Sequence, residues 1–151
     1  MALETILLAV GPSDDERAEK LATTVIDEAT ATDATVVVSH VFTEEEYAST
    51  LDQLDVREGE EITPDEVARR HNTVRTIVDV LQDAGVEYEV RGEVGPHAEA
   101  IISLAERVGA DRLVIGGRRR SPTGKAVFGS TGQEVLLSSP CPVLYVRGDM
   151  N

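Results

Sequence analysis

Two hydrophobic periods alternate along this chain. Thr5 to Val10 is an essentially apolar run that stops at Gly11-Pro12, the pattern of a strand buried on both faces. Ser13 and Glu16 then stand three apart as a capping box, and Ala18, Leu21, Ala22, Val25 and Ala29 repeat at helical spacing. They predict a helix to about Ala31. Ala34 to Val41, with Val36, Val37 and Val38 in succession, is β-branched enough to be the second strand.

The pattern then lapses. From Thr43 to Ile62 the chain carries Glu44, Glu45, Glu46, Asp52, Asp55, Glu58, Glu60 and Glu61 with little apolar periodicity, so this acidic excursion (about 43–62) is expected to be solvated. A structureless loop of that length is uncommon inside a domain, which leaves a short helix, a lid or disorder for part of it. Thr63-Pro64-Asp65-Glu66 restarts a helix with Thr as N-cap. Its stripe is Val67, His71, Val74, Val78 and Leu81, ended by Gly85.

Val86 to Glu93 alternates apolar and charged residues, which marks a strand with one wet face near a sheet edge. Ala98, Ile101, Ile102, Ala105 and Val108 make the next helix, closed by Gly109. Arg112 to Ile115 is a short central strand, Gly129 to Ser139 a last short helix and Pro142 to Arg147 the last strand. Such alternation predicts one α/β domain over 1–151 with a five-stranded parallel sheet, right-handed crossovers and helices on both faces. The expected order is 3-2-1-4-5. In that order ligands bind outside the carboxyl ends of the first and fourth strands, here Val10-Gly11-Pro12 and Ile115-Gly116-Gly117.

Composition narrows the function. The 151 residues hold 28 acidic and 14 basic side chains, a net charge of −14, which disfavours nucleic acid or an anionic membrane surface as partner. No apolar run approaches the roughly 18 residues of a membrane span, and the start lacks a basic leader, so the chain is expected in the cytoplasm. Lys20 and Lys125 are the only lysines and arginine supplies the other cations. An acidic, lysine-poor surface suits concentrated salt, where the Debye length shrinks to about 3 Å. The single Cys141 has no partner for a disulfide or a zinc cluster, and with prolines on both sides it reads as a structural residue entering a strand.

Against that background one stretch stands apart. Arg112 to Gln133 contains no Asp or Glu and five cations, Arg112, Arg118, Arg119, Arg120 and Lys125. Gly116 and Gly117 allow close backbone approach, while Gly129-Ser130-Thr131 opens a helix whose free N–H groups and dipole favour an anion. Two structural readings compete: Thr131 and Glu134 match a capping box, and the arginines can pair with the acidic excursion. The first helix begins with Asp14, Asp15 and Glu16, which repel phosphate, so phosphates are expected on the second loop. Ribose and base then extend toward the ends of the first and second strands, with Ala9, Val10, Gly11 and Val41 beside Ile115.

These residues also carry a family resemblance. Asp111-Arg112-Leu113-Val114-Ile115 leads into Gly116, and Gly129, Ser130 and Thr131 follow at the spacing G-x2-G-x9-G-[ST]-[ST]. This is similar to the nucleotide-binding signature of the universal stress protein family, as are Ile6 to Val10 and Cys141-Pro142-Val143-Leu144. The resemblance implies an adenine nucleotide alpha hydrolase-like fold, a homodimer and, in one branch, ATP between the first and fourth strand ends. Two positions depart from it: Arg119 stands at the second glycine, and Gly11 stands where nucleotide-binding members carry an Asp that contacts ribose or metal, with no evident substitute nearby. The expected binding set is Ala9, Val10, Gly11, Val41, Ile115, Gly116, Gly117, Arg119, Gly129, Ser130 and Thr131, for ATP or another adenine nucleotide, with or without Mg.

Other chemistry finds little support. Gly124-Lys125 imitates a P-loop, but Arg119 and Ala126 replace its glycine and its hydroxyl. His40, His71 and His97 lie on three elements without metal-ligand spacing, and His71 on an apolar stripe reads as a partly buried core histidine. No nucleophile with a base emerges, so no catalytic residue is expected and hydrolysis is at most that of a slow ATPase. The apolar last strand, Val143 to Val146, belongs at a sheet edge, where a second copy pairing strand to strand would cover it. The alternative function is a dimeric interaction or scaffold module of the same fold that has lost nucleotide binding and meets an unidentified protein partner.

Overall fold

The computed structural model describes residues 3–54, 61–117 and 129–147. Five parallel strands, β1 (Thr5–Val10), β2 (Thr35–Phe42), β3 (Tyr88–Val94), β4 (Arg112–Gly117) and β5 (Val143–Arg147), form one sheet ordered β3-β2-β1-β4-β5. That is the order expected from the pattern. The helices are α1 (Ala18–Thr32), α2 (Glu44–Gln53), α3 (Pro64–Arg70), α4 (Asn72–Asp83), α5 (His97–Val108) and α6 (Ser130–Ser138).

Strand alternation sorts the core into two layers. Ile6, Leu8, Val10, Val36 and Val38 face α1, α3 and α4 through Leu21, Val25, Val67, Val74, Ile77 and Leu81. Leu7, Ala9, Val37 and Val41 face the opposite way, toward Ile101, Leu104 and Ala105 of α5 and Val135 of α6. A fully buried Leu, Ile or Val contributes roughly 1.5–3 kcal/mol, so β1, buried on both faces, is the pivot of the domain. Its start is tied to β4: the Asp111 carboxylate accepts the N–H groups of Glu4 (2.9 Å) and Thr5 (3.1 Å). Those two donors hold the carboxyl below its usual range.

Three local expectations are corrected, and of the readings left open for the acidic excursion the short helix is the one found. Ser13 makes no capping hydrogen bond, and the chain from Asp14 to Arg17 is a 3-10 turn ahead of α1, because Asp14 rather than Ser13 turns its oxygens back onto the strand end. The first half of the acidic excursion is α2, held by a complete capping box in which Thr43 and Glu46 exchange hydrogen bonds of 3.1 and 2.8 Å. The helix from Thr63 is broken at His71, whose ψ of 129° separates α3 from α4. Beyond the break Ile77, not Val78, is fully buried. Finally, Gly129 is the N-cap of α6, which leaves Thr131 inside the first turn instead of capping with Glu134. The part of the excursion over 55–60 lies outside the described residues.

The two sheet margins differ. Along β3, the Gly92 N–H donates to Asp65 Oδ1 at 2.7 Å, and a Cβ at Gly92 would overlap the Pro64 carbonyl, so only glycine lets α3 press against this strand. On the other margin β5 pairs with β4 alone. No described helix is long and apolar enough to cross a membrane.

Candidate functional site

The carboxyl ends of β1 and β4 diverge, and the fork between them is a cleft of ≈ 210 Å³. Its walls include Ala9, Val10, Gly11, Val41, Ile115, Gly116, Gly117, Gly129, Ser130 and Thr131. The fold therefore gathers ten residues picked from three strand ends and one helix start around a single space. Arg119, with Arg118, Arg120 and Lys125, lies outside the described residues.

One wall is the start of α6. Its N-cap, Gly129, brings no side chain to cap the first turn, and among the described residues a Cβ on Gly129 would meet nothing within 4 Å. Open amides at a helix N-terminus attract an anion through N–H donation and the helix dipole.

The floor is a buried ion pair that sequence reasoning overlooked. Asp14 Oδ2 accepts the Gly11 N–H at 2.6 Å, and Asp14 Oδ1 takes Arg17 Nη1 at 2.8 Å, which also donates to the Ser13 carbonyl at 2.9 Å. Asp14 is 4% exposed and Arg17 7%. Burial raises the Asp14 carboxyl above its ordinary range, against the pull of the Gly11 N–H and Arg17. The pair stands over Gly116, where a Cβ would come within 2.6 Å of Asp14 Oδ1 and 2.8 Å of Arg17 Cδ. Beside it a Cβ on Gly117 would overlap the Tyr145 ring. Both glycines are thus demanded by the protein's own side chains, a reason the sequence does not reveal, while both also line the cleft. Asp14 does place a carboxylate near Gly11: three residues on, it folds back to that same strand end, its oxygens engaged by the Gly11 N–H and Arg17. The signal was present as Asp-x-x-Arg on one helical turn.

His97 closes another side. Its Nε2 contacts Glu46 Oε1 at 2.7 Å, tying α2 to the start of α5. Burial acts to raise the Glu46 carboxyl, but the Thr43 N–H and His97 outweigh it and leave it below its usual range. Behind the cleft His40 Nδ1 meets the Val10 carbonyl at 2.7 Å. The histidines, scattered in sequence, are in part brought together: His40 and His71 stack. Among the described residues no group of three or more His, Cys, Asp or Glu is placed to hold a metal.

A parallel sheet of this order, with helices on both sides and a cleft at its strand fork, defines the adenine nucleotide alpha hydrolase-like class. The chain belongs to the universal stress protein family, whose match spans residues 2–147. A curated universal stress protein of Thermus aquaticus is 33% identical over 95% of this chain and 98% of its own length. One from Mycolicibacterium smegmatis is 42% identical over 52% of this chain and 61% of its own. Among solved structures, a universal stress protein in complex with cAMP superposes with a TM-score of 0.67 at 21% identity, covering 99% of this chain and 100% of its own. The Archaeoglobus fulgidus protein in complex with dAMP gives 0.63 at 21%, covering 97% and 99%. An Arabidopsis thaliana member with AMP bound gives 0.62 at 15%, covering 95% and 91%.

Proposed function

We propose that this chain is a dimeric universal stress protein that binds an adenine nucleotide, ATP or AMP, in the cleft between β1 and β4, and serves a regulatory role in the stress response with little or no turnover. The observation that carries the reading is the start of α6 at that fork, where the N-cap Gly129 brings no side chain and, among the described residues, nothing stands within 4 Å of where its Cβ would be. Phosphates sit on the amides of Gly129, Ser130 and Thr131 and beside Gly116, with Arg119 adding a cation. Base and ribose extend toward Val10 and Val41. The adenine nucleotides bound by family structures of the same fold support the choice of ligand. Any Mg²⁺ enters on the phosphates. The protein works in the cytoplasm at high salt, as its charge of −14 favours, and pairs through β5.

Titration calorimetry with ATP, ADP and AMP in molar KCl tests this. Saturable heat is expected, abolished in Gly129→Asp, whose carboxylate has room at the N-cap and repels phosphate while suiting the helix dipole. The second reading, a scaffold module, draws on Asp14, whose carboxylate already occupies the Gly11 amide. No heat from any nucleotide selects it.

A further inference from the structure

Arg17 holds more donors than its partners use. A guanidinium has five N–H groups. Nη1 serves the Ser13 carbonyl and Asp14 Oδ1, whereas Nε is buried and has no hydrogen-bond partner among the described residues. Leaving a buried donor unsatisfied is costly, more so on a cation with only 7% of its surface exposed. A purely structural role, pinning Asp14 to the strand end, needs one nitrogen. The residue also lines the cleft, together with Gly116 and the first residues of α6.

We propose that Arg17 is the residue by which the cleft recognises a phosphoryl group and so separates nucleotides from nucleosides. This rests on the nucleotide reading above and extends it to a residue outside the glycine signature. A phosphate oxygen bound by the first amides of α6 takes its second set of donors from the guanidinium, whose planar fork suits two oxygens at once. Asp14 holds that fork in place. Among the described lining residues Asp14 offsets the guanidinium charge, and the arriving phosphate supplies a further anion.

Equilibrium binding of ATP, AMP and adenosine to the whole protein in molar KCl, for the natural chain and for Arg17→Gln and Arg17→Lys, tests the assignment. Arg17→Gln is expected to weaken AMP and ATP by about tenfold or more, in line with loss of hydrogen bonds to a charged group, and to leave adenosine within about twofold. Arg17→Lys keeps a cation beside Asp14 but not the fork, so its affinities should fall between; it also supplies the measurement should the Gln variant fail to fold. Equal weakening of AMP and adenosine, or unchanged AMP affinity in both variants, overturns the role of Arg17 while leaving nucleotide binding intact. Failure of the natural chain to bind AMP or ATP at all overturns the nucleotide reading and this one with it.

Discussion

The imidazole rings of His40 and His71 lie stacked, centroids 4.1 Å apart and planes 29° from parallel. His40 comes from β2 and His71 from the break between α3 and α4, so the contact ties that break to the sheet.

Acid should weaken the fold through this contact. Burial, with help from His71, lowers the His40 imidazole from 6.5 to about 4, and burial lowers His71 as well. Between those two pH values the unfolded chain binds the proton and the folded chain does not, so stability is complete above 6.5 and lost as pH falls toward 4, by about 3 kcal/mol for His40. Asp14, raised by burial, works in the opposite sense in the carboxylate range. His40→Asn, which keeps a donor for the Val10 carbonyl, should flatten the dependence of the urea midpoint over pH 6.5 to 4. An unaltered slope would remove His40 from the account.

Gly117 and Tyr145 form a second coupled pair. Gly117→Ala should cost about 1–3 kcal/mol, the usual range for forcing a methyl into filled space, because the new carbon overlaps the tyrosine ring. In Gly117→Ala/Tyr145→Ala the ring is gone, and the combined loss should fall clearly short of the sum of the single losses. Additive losses in denaturant titrations would refute the contact.

Salt should stabilise the protein. At 0.1 M the Debye length is about 10 Å and the acidic side chains repel across the surface; at 1 M it is about 3 Å and repulsion is confined to contact range. The melting temperature should climb at least about 3 °C between those KCl concentrations, the shift that roughly 1 kcal/mol produces at this chain length. A flat response would show that the charge of −14 does not govern stability.

The outer margin of β5 offers the test of the proposed dimer. Pro142 accepts the Leu113 N–H, so by strand alternation the odd-numbered residues Val143, Tyr145 and Arg147 point their amides outward. Val143→Pro removes one such amide without touching the β4 ladder, and light scattering should then report monomer. A proline at Val146 instead breaks the ladder to β4 and is expected to unfold the strand. A dimer that survives Val143→Pro is not built on this margin.

Much of this architecture was legible in the residues because a single cause dominated each segment. The apolar run of Thr5–Val10 and the αL glycine after α5, with φ of 66° at Gly109, each admit one interpretation. The cleft was legible for a different reason: strand order alone fixes where the first and fourth strands part, so residues picked at those ends had to meet. What stayed hidden depended on contacts across the fold. Ser13 looked like a cap because sequence shows a hydroxyl three residues before Glu16, but not that Asp14 reaches the Gly11 amide. His71 looked like one more position on a stripe, since nothing local announces a partner on β2. The capping box of α2, Thr43 with Glu46, was in plain view, masked by a composition so acidic that it suggested solvent.

The asymmetry of the sheet margins limits what the molecule can build. On one border Asp65 holds the Gly92 amide and α3 is laid against the strand; on the other, β5 pairs within the described sheet with β4 alone, and its Arg147 carbonyl accepts the Lys20 ammonium. Joining by strand addition, as proposed for the dimer, would consume the β5 rim of each copy. A pair closed in that way would leave no β5 margin for a third copy, where a sheet with two open rims would seed a fibre.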